Sequence, residues 1–510
     1  MKKRRPPVLR ASILIVVWLG VLSAQTPDAV PAPSAQIDKP DPQIDKEVKR
    51  ITAVYALVAT HEADPVSADQ AIYQGAIPGL LRKLDPHSVF FDPGQFEQLK
   101  QMERSTSKGF GTIVSLMPGR VIVLQTLPGT PSARSGMAPG DEILAVNNIR
   151  LDRLDLDQLT QFLGQAKQKP AQLYVRRPGA PGLLNLTLIP EEMQSKSVDR
   201  AFLLKPGIGY VRVVSWESQT GQQLRYAVEQ LGGDKLKGLV IDLRNNPGGI
   251  VGAALEACAM FLAPGQTILS VRGRKTAPQE EKAPLGTKPY HFPLAVLVNE
   301  KSASASEIVA GALQDHDRAT IVGDTSFGKG LVESVFPLSE KTGMALTTAL
   351  YYTPSGRSIQ KPFHGGDFEL ASTASHPNAQ SEFKTDKGRT VRGGGGITPD
   401  IVADPAPMTR VSIALEASGS FVSFATEYTH NHKVEQNFKV TPEVLDQFQA
   451  YAADRRIQPG VAEWSENREF IENHLKAEIL NQALGVEQGD KVEISYDPVV
   501  RKALEAVVGQ

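Results

Sequence analysis

Leu294-Ala-Val-Leu-Val298, followed by Ser302-Ala-Ser-Ala-Ser-Glu307, decides how this chain folds. The first run is continuously apolar and β-branched, which reads as a buried strand of a mostly parallel sheet. The second places three small hydroxyl residues where a helix begins, and Ile308, Val309 and Leu313 suit a packed helix after it. Strand, tight turn and helix is the geometry that pushes a side chain out at the end of a sheet, where α/β proteins keep their sites. Ser304 and Glu307 also have the S-x-x-E spacing of a capping box, so one reading of Ser304 is a helix cap. A second reading uses the same physics, because a helix start offers unpaired N–H groups and a positive dipole end that stabilise an oxyanion.

Working outward, Lys329 in Phe327-Gly-Lys-Gly330 lies 25 residues after Ser304. A helix from Ser304 to Gln314 carries the chain roughly 16 Å away at about 1.5 Å per residue. A strand from Ala319 to Gly323 returns it by about the same distance, near 3.3 Å per residue. The lysine therefore comes back beside the helix start, and its flanking glycines leave the approach open. A lysine acts as a base only when neutral, which burial or nearby positive charge favours. An isolated Gly-Lys-Gly is otherwise a surface turn, and the G-x-x-x-x-G-K-[ST] spacing of a phosphate loop is absent.

Around this pair, strands and helices alternate: Ile208 to Val214, Gly221 to Leu231, Leu236 to Leu243, Val251 to Leu262. That is an α/β core. Asp242-Leu-Arg-Asn-Asn-Pro-Gly-Gly249 follows a buried strand with two glycines, which let backbone approach a ligand closely. Between Ser107 and Pro190 the pattern changes to short strands and turns. Gly109-Phe-Gly111, Pro139-Gly-Asp-Glu-Ile-Leu144 and a helix from Leu156 to Gln165 resemble a PDZ domain. The resemblance implies that Gly109, Phe110 and Gly111 hold a carboxyl terminus added as a strand, with Arg177 a candidate sensor of the bound tail.

Four motifs in order, Asp242 to Gly249, Asn299 to Ile308, Gly323 with Phe327 to Gly330, and Gly396-Ile-Thr-Pro-Asp400, resemble the carboxyl-terminal processing (tail-specific) proteases. The similarity runs from about Lys46 to Pro405 and includes Tyr73-Gln-Gly-Ala76 and Leu84-Asp-Pro-His-Ser88. It implies a serine endopeptidase with a Ser/Lys dyad: Ser304 as nucleophile, Lys329 as general base, and an oxyanion hole from the backbone of Ala305 with Gly248 or Gly249. The family usually has glutamine four residues after the lysine, whereas Glu333 stands here as the candidate third residue. A carboxylate there holds the charge on the lysine and opposes its work as a base; a neutral Glu333, or activation by a partner, are the other readings. The departure keeps in view a protein that binds tails without cutting them. A Ser-His-Asp hydrolase is disfavoured, since G-x-S-x-G is missing and no residue near His87 in the sequence pairs with it.

Length and composition bound the rest. The chain has 510 residues and a net charge of −1, too long for one core and too balanced for nucleic acid as its main partner. Its single cysteine, Cys258, lies in an apolar run and reads as a core thiol. No Cys/His spacing suggests a metal, His430 and His432 face apart on a helix, and no cofactor is implied. Lys2 to Arg10 before the apolar run Ile13 to Leu22 is the order of a secretory signal, cleaved after Ala24 or retained as an anchor, and it implies export to a periplasmic space. Contact with membrane is expected only through that segment.

The expected architecture is an α/β protease core (mixed sheet with helices) at 191–407, with an inserted PDZ domain (a partly open β-barrel plus helices) at 107–190. Before these come the signal or anchor (1–24), a flexible Pro/Ala-rich linker (25–43) and a helical segment (44–106) whose apolar face is Ile44, Val48, Ile51, Tyr55 and Val58. After them, 408–510 is a helical extension with signals at Pro442 to Ala453, Ser465 to Ala483 and Pro498 to Val508. The stretch Asp367 to Gly395 reads as a mobile loop. Expected partners are protein substrates with exposed carboxyl-terminal tails, an activator or adaptor protein, and a second copy of the chain joined through the terminal helices.

Overall fold

The two apolar runs at the centre of the sequence, 238–242 and 294–298, are strands in which every residue is buried, and the remaining elements are laid on either side of them. The computed structural model describes residues 42–274, 277–339, 341–362 and 381–509. The expected signal and nearly all of the linker lie outside these residues. No helix among the described residues is long and apolar enough to cross a membrane.

Helix α1 (Pro42–His61) follows the expected spacing, yet its apolar side is uncovered: Ile44, Val48, Ile51, Val54 and Leu57 are 52% to 64% exposed. A π-helical turn from Asp69 leads into α2 (Ile77–Arg82), which buries Leu81. Two elements then appear that the sequence pattern did not announce. Strand β1 (Val89–Phe91) follows Leu84-Asp-Pro-His-Ser88, and α3 (Pro93–Glu103) follows a capping box in which Asp92 Oδ1 accepts the Gln95 N–H at 2.8 Å. Phe96 and Leu99 of α3 pack against Phe91.

Strand β2 (Thr106–Gly109) enters the PDZ region, whose antiparallel sheet consists of β3 (Thr112–Met117), β4 (Arg120–Thr126), β5 (Glu142–Val146), β6 (Ala171–Arg176) and β7 (Leu183–Leu188), in that order. Helix α4 (Leu156–Ala166) lies beside β3, started by Asp155 and Gln158. Alternate strand residues, Val121 and Val123, Leu173 and Val175, point inward to Leu159. β8 (Glu191–Gln194) pairs with β2, so the region leaves the chain where it entered.

The main sheet is built from β9 (Val198–Lys205), β10 (Ile208–Val213), β11 (Gly238–Asp242), β13 (Leu294–Val298), β14 (Thr320–Gly323) and β19 (Ile401–Val402); only the β9–β10 pair is antiparallel. Between β10 and β14 come α5 (Thr220–Leu231), α6 (Val251–Ala259), β12 (Thr267–Arg272) and α7 (Ala305–Asp315). A second sheet joins β12, β15 (Leu331–Pro337), β16 (Gly343–Tyr352) and β1. The lead segment is thereby stitched to the protease core, with Val89 opposite Ala345.

The expected mobile loop 367–395 is corrected in part. Residues 363–380 lie outside the described residues, but β17 (Glu382–Lys384) and β18 (Thr390–Arg392) form a hairpin. Its turn is held to the end of α7, where the Asp386 N–H donates to Asp315 O at 2.8 Å.

The extension holds α8 (Arg410–Ala417), α9 (Ser420–Asn431), α10 (Pro442–Asp454), α11 (Arg468–Leu484), α12 (Val486–Tyr496) and α13 (Pro498–Val508). Of these, α10, α11 and α13 match the expected helices. The first four bury one apolar cluster around Phe421, Phe448, Ile471 and Leu475. The last does something else. Because strand residues alternate faces, Val211, Ile241 and Val296 meet α5, α6 and α7, while Tyr210, Val240, Ala295 and Leu297 face the other way. That second face is covered by Val499, Val500, Ala503 and Val507 of α13, so the carboxyl end of the chain is a layer of the core.

Candidate active site

Ser304 sits at the carboxyl end of the central strands with φ 56° and ψ −116°. For a residue with a β-carbon that conformation is strained, and such strain persists only where the surroundings impose it. Glu307 imposes much of it. Its buried carboxylate accepts the Ser304 N–H at 2.8 Å on Oε2, which is the backbone arm of the expected capping box. The same Oε2 accepts the Lys329 N–H at 2.9 Å, and Oε1 accepts the Gly328 N–H at 2.7 Å and the Ser326 hydroxyl. Burial pushes this carboxyl up to about 7, against the pull of those four donors.

A second side chain spans the same two residues. The Tyr351 hydroxyl lies 2.6 Å from Lys329 O and 3.1 Å from Ser304 O, and it is wholly buried. Residues 25 apart in sequence are thus tied, backbone to backbone, through Glu307 and Tyr351.

The neighbouring serines are committed elsewhere. Ser302 Oγ donates to Leu243 O at 2.8 Å, and Ser306 Oγ donates to Asn246 O at 3.0 Å. Both therefore pin the turn Leu243–Gly249 against the start of α7. Gly248 (φ 106°) shows why that turn needs glycine: a β-carbon there would lie 2.7 Å from Ser304 Cβ and 3.0 Å from Ala305 N. The Gly248 N–H donates to Asn246 Oδ1 at 2.9 Å, which commits it within the turn. Ala305 is the first residue of α7, where a helix has no internal acceptor for its N–H.

Lys329 is only 6% exposed, and its Nζ lies 3.0 and 3.1 Å from the two oxygens of Glu333 on β15. Burial pushes the Glu333 carboxyl up to about 7; the Lys329 charge opposes this and Asp85 adds to it. His87 Nδ1 stands 4.0 Å from Glu333 Oε1. Burial, with the Lys329 charge, holds this imidazole down at about 4, so it is neutral at physiological pH. Its turn is fixed by Asp85, whose Oδ1 accepts the His87 and Ser88 N–H groups at 2.7 Å.

In the PDZ region, Gly109 closes β2 and Phe110 packs on the domain core. Gly111 (φ 75°) runs so close to Thr130 that a β-carbon would lie 2.3 Å from it. Arg177 forks onto Asp141, at 2.7 and 2.8 Å, and onto Gly136 O, just past the end of β6.

Comparison with known proteins agrees with this layout. Residues 207–370 match the model of peptidase family S41, 99–176 that of the PDZ domain, and 413–485 a family of unknown function, DUF8443. A carboxy-terminal-processing protease of Bartonella bacilliformis is 36% identical over 62% of this chain and 73% of its own length. The chain belongs to the carboxy-terminal processing proteases. Another relative, the processing protease CtpB of Bacillus subtilis, is 30% identical over 65% of this chain and 69% of its own length. Among solved structures, the photosystem II D1 C-terminal processing protease is 25% identical, covering 69% of this chain and 86% of its own, with a TM-score of 0.38.

As a processing protease, the chain is a peptidase, and the site described above has the parts that acyl transfer needs: a hydroxyl on a strained turn, a buried amine and first-turn amides. Three residues that the structure places around the pair are not site candidates from the sequence. His87 and Tyr351 come from segments far from Ser304 along the chain, and His87 in particular was set aside for want of a neighbour. Glu307 was visible only as a capping residue, with no hint that its carboxylate also holds the lysine loop.

Proposed function

We propose that this chain is an exported serine endopeptidase that takes protein substrates by their carboxyl-terminal tails and cleaves them with a Ser304/Lys329 dyad. The observation that carries the reading is the joint anchoring of both residues by Glu307 and Tyr351. Neutral Lys329 takes the Ser304 hydroxyl proton as Oγ attacks the scissile carbonyl, and later returns it to the departing amine. The Ala305 N–H, with that of Gly249, or of Gly248 once it leaves Asn246, receives the oxyanion. Glu333 holds the lysine and, as the neutral acid, leaves the amine free to act.

Tail capture is assigned to the loop Gly109–Gly111 and the edge of β3 beside α4, by addition of the peptide as a strand. Export rests on the basic and apolar order of residues 2–22. The uncovered apolar face of α1 supports a homodimer in which two copies cover it.

Mixing the purified protein with an unfolded substrate that ends in an apolar tail tests this reading. Cleavage is expected to fall by at least about a thousandfold in Ser304→Ala and in Lys329→Ala. Cleavage that survives Ser304→Ala would refute the dyad. A substrate that is bound but left whole by the unaltered protein favours the second reading, a tail-binding protein held inactive by the Glu333 carboxylate on Lys329 until a partner engages it.

A further inference from the structure

The turn that lies against Ser304 is held at its first residues by the last helix of the chain. Arg244 Nε and its terminal nitrogens stand between two carboxylates: they donate to Asp242 at 3.0 and 2.6 Å, and to Asp497 Oδ2 at 2.7 Å. Asp242, 2% exposed, also accepts the Arg244 N–H at 2.9 Å and the Tyr210 hydroxyl at 2.7 Å. Asp497 caps α13, its Oδ1 accepting the Val499 N–H at 2.8 Å. It lies beyond the residues matched to the protease family and beyond those matched to the extension's own family.

We propose that Asp497 is a positioning residue for the turn Leu243–Gly249 and through it for the amides that receive the oxyanion; this rests on the Ser304/Lys329 reading above. A guanidinium gripped on one edge by Asp242 can still pivot, and a second carboxylate on another edge fixes its plane. From Arg244 the chain is rigid to the site. Leu243 O accepts Ser302 Oγ at 2.8 Å, Asn246 O accepts the Ala303 N–H at 3.0 Å, and a β-carbon on Gly248 would lie 2.7 Å from Ser304 Cβ. Movement of the turn is therefore movement of the backbone on both sides of Ser304, and oxyanion donors tolerate only a fraction of an ångström. The two oxygens of Asp497 have separate tasks. Oδ1 caps the helix and Oδ2 orients the arginine.

Asp497→Asn separates those tasks, since asparagine still caps a helix but offers Arg244 an amide in place of an acceptor. In the full chain, with the unfolded substrate above, kcat is expected to fall about ten- to a hundredfold, with KM changed by less than about twofold. A peptide aldehyde, which forms a tetrahedral adduct, should lose affinity by the same factor as kcat, and Asp497→Glu should recover much of both. An unchanged kcat in Asp497→Asn overturns the inference. So does a loss matched by an equal loss of fluorophosphonate-labelled sites, which would mean less folded protein rather than a misplaced turn. Ser304→Ala run in parallel keeps the readings apart: if it is dead while Asp497→Asn is normal, only this inference fails, and if it still cleaves, the dyad fails.

Discussion

Glu333 is where the site departs from its family's usual glutamine, and its effect has a definite sign. Above about 7 the carboxyl is ionised, and a negative charge about 3.0 Å from Lys329 Nζ opposes the base role proposed for it. Glu333→Gln removes that charge. Above about 7, where Glu333 is ionised, kcat/KM should rise about tenfold in the variant, and the gain should shrink as pH falls and Glu333 becomes neutral. A rate unchanged across that range would mean that the Glu333 charge does not restrain Lys329. The meeting of Ser304 with the Lys329 loop was legible from Ser302 to Glu307 and Phe327 to Gly330, because strand, helix and return strand have fixed lengths. Glu307 and Tyr351 were not, since a capping carboxylate and a strand tyrosine look ordinary until the chain brings Lys329 to them. Arg177, marked from sequence as a tail sensor, is paired with Asp141.

Among elements, α13 carries more than its place at the end of the chain suggests. Its apolar residues were readable as a helix face, but the strands that receive them, 238–242, 294–298 and 320–323, lie roughly 180 to 270 residues earlier, beyond the reach of any local pattern. Val500 is 1% exposed against the sheet. Val500→Asp buries a carboxylate with no partner and should cost on the order of 3 kcal/mol or more, enough to unfold a marginal domain. Thermal melting checks this, and a midpoint within about 2 °C of the unaltered protein would show that α13 is not a layer of the core. β1 and α3 escaped the sequence reading for a related reason. A three-residue strand has too few positions to display a period, and α3 has only Phe96, Leu99 and Met102 as large apolar residues.

At the scale of the whole molecule, the extension touches both ends of the work the chain is proposed to do. Arg120 of the PDZ region donates to Ser423 Oγ at 2.9 Å, the Val486 N–H donates to Gln125 Oε1 at 3.3 Å, and Met117, Ile122 and Leu124 pack on Val422 and Val486. The same extension holds Arg244 through Asp497. The lead segment behaves differently, because α1 leaves six large apolar residues exposed along one helix. Removing residues 42–61 should convert a dimer to a monomer while cleavage persists, as read by light scattering. A monomeric intact chain would assign that face to another partner. The presence of a PDZ region and a protease core was readable from motif, whereas the return of the last helix to the main sheet was not.

That return has a consequence for when the protease becomes one. A ribosome delivers a polypeptide amino end first, so Ser304 and Lys329 emerge long before Asp497 and the helix it starts. Until those last residues arrive, one face of the central sheet is bare and Arg244 lacks its second carboxylate. The fold is thus timed by synthesis: the central sheet is covered on both faces only once residues 498–508 have been made.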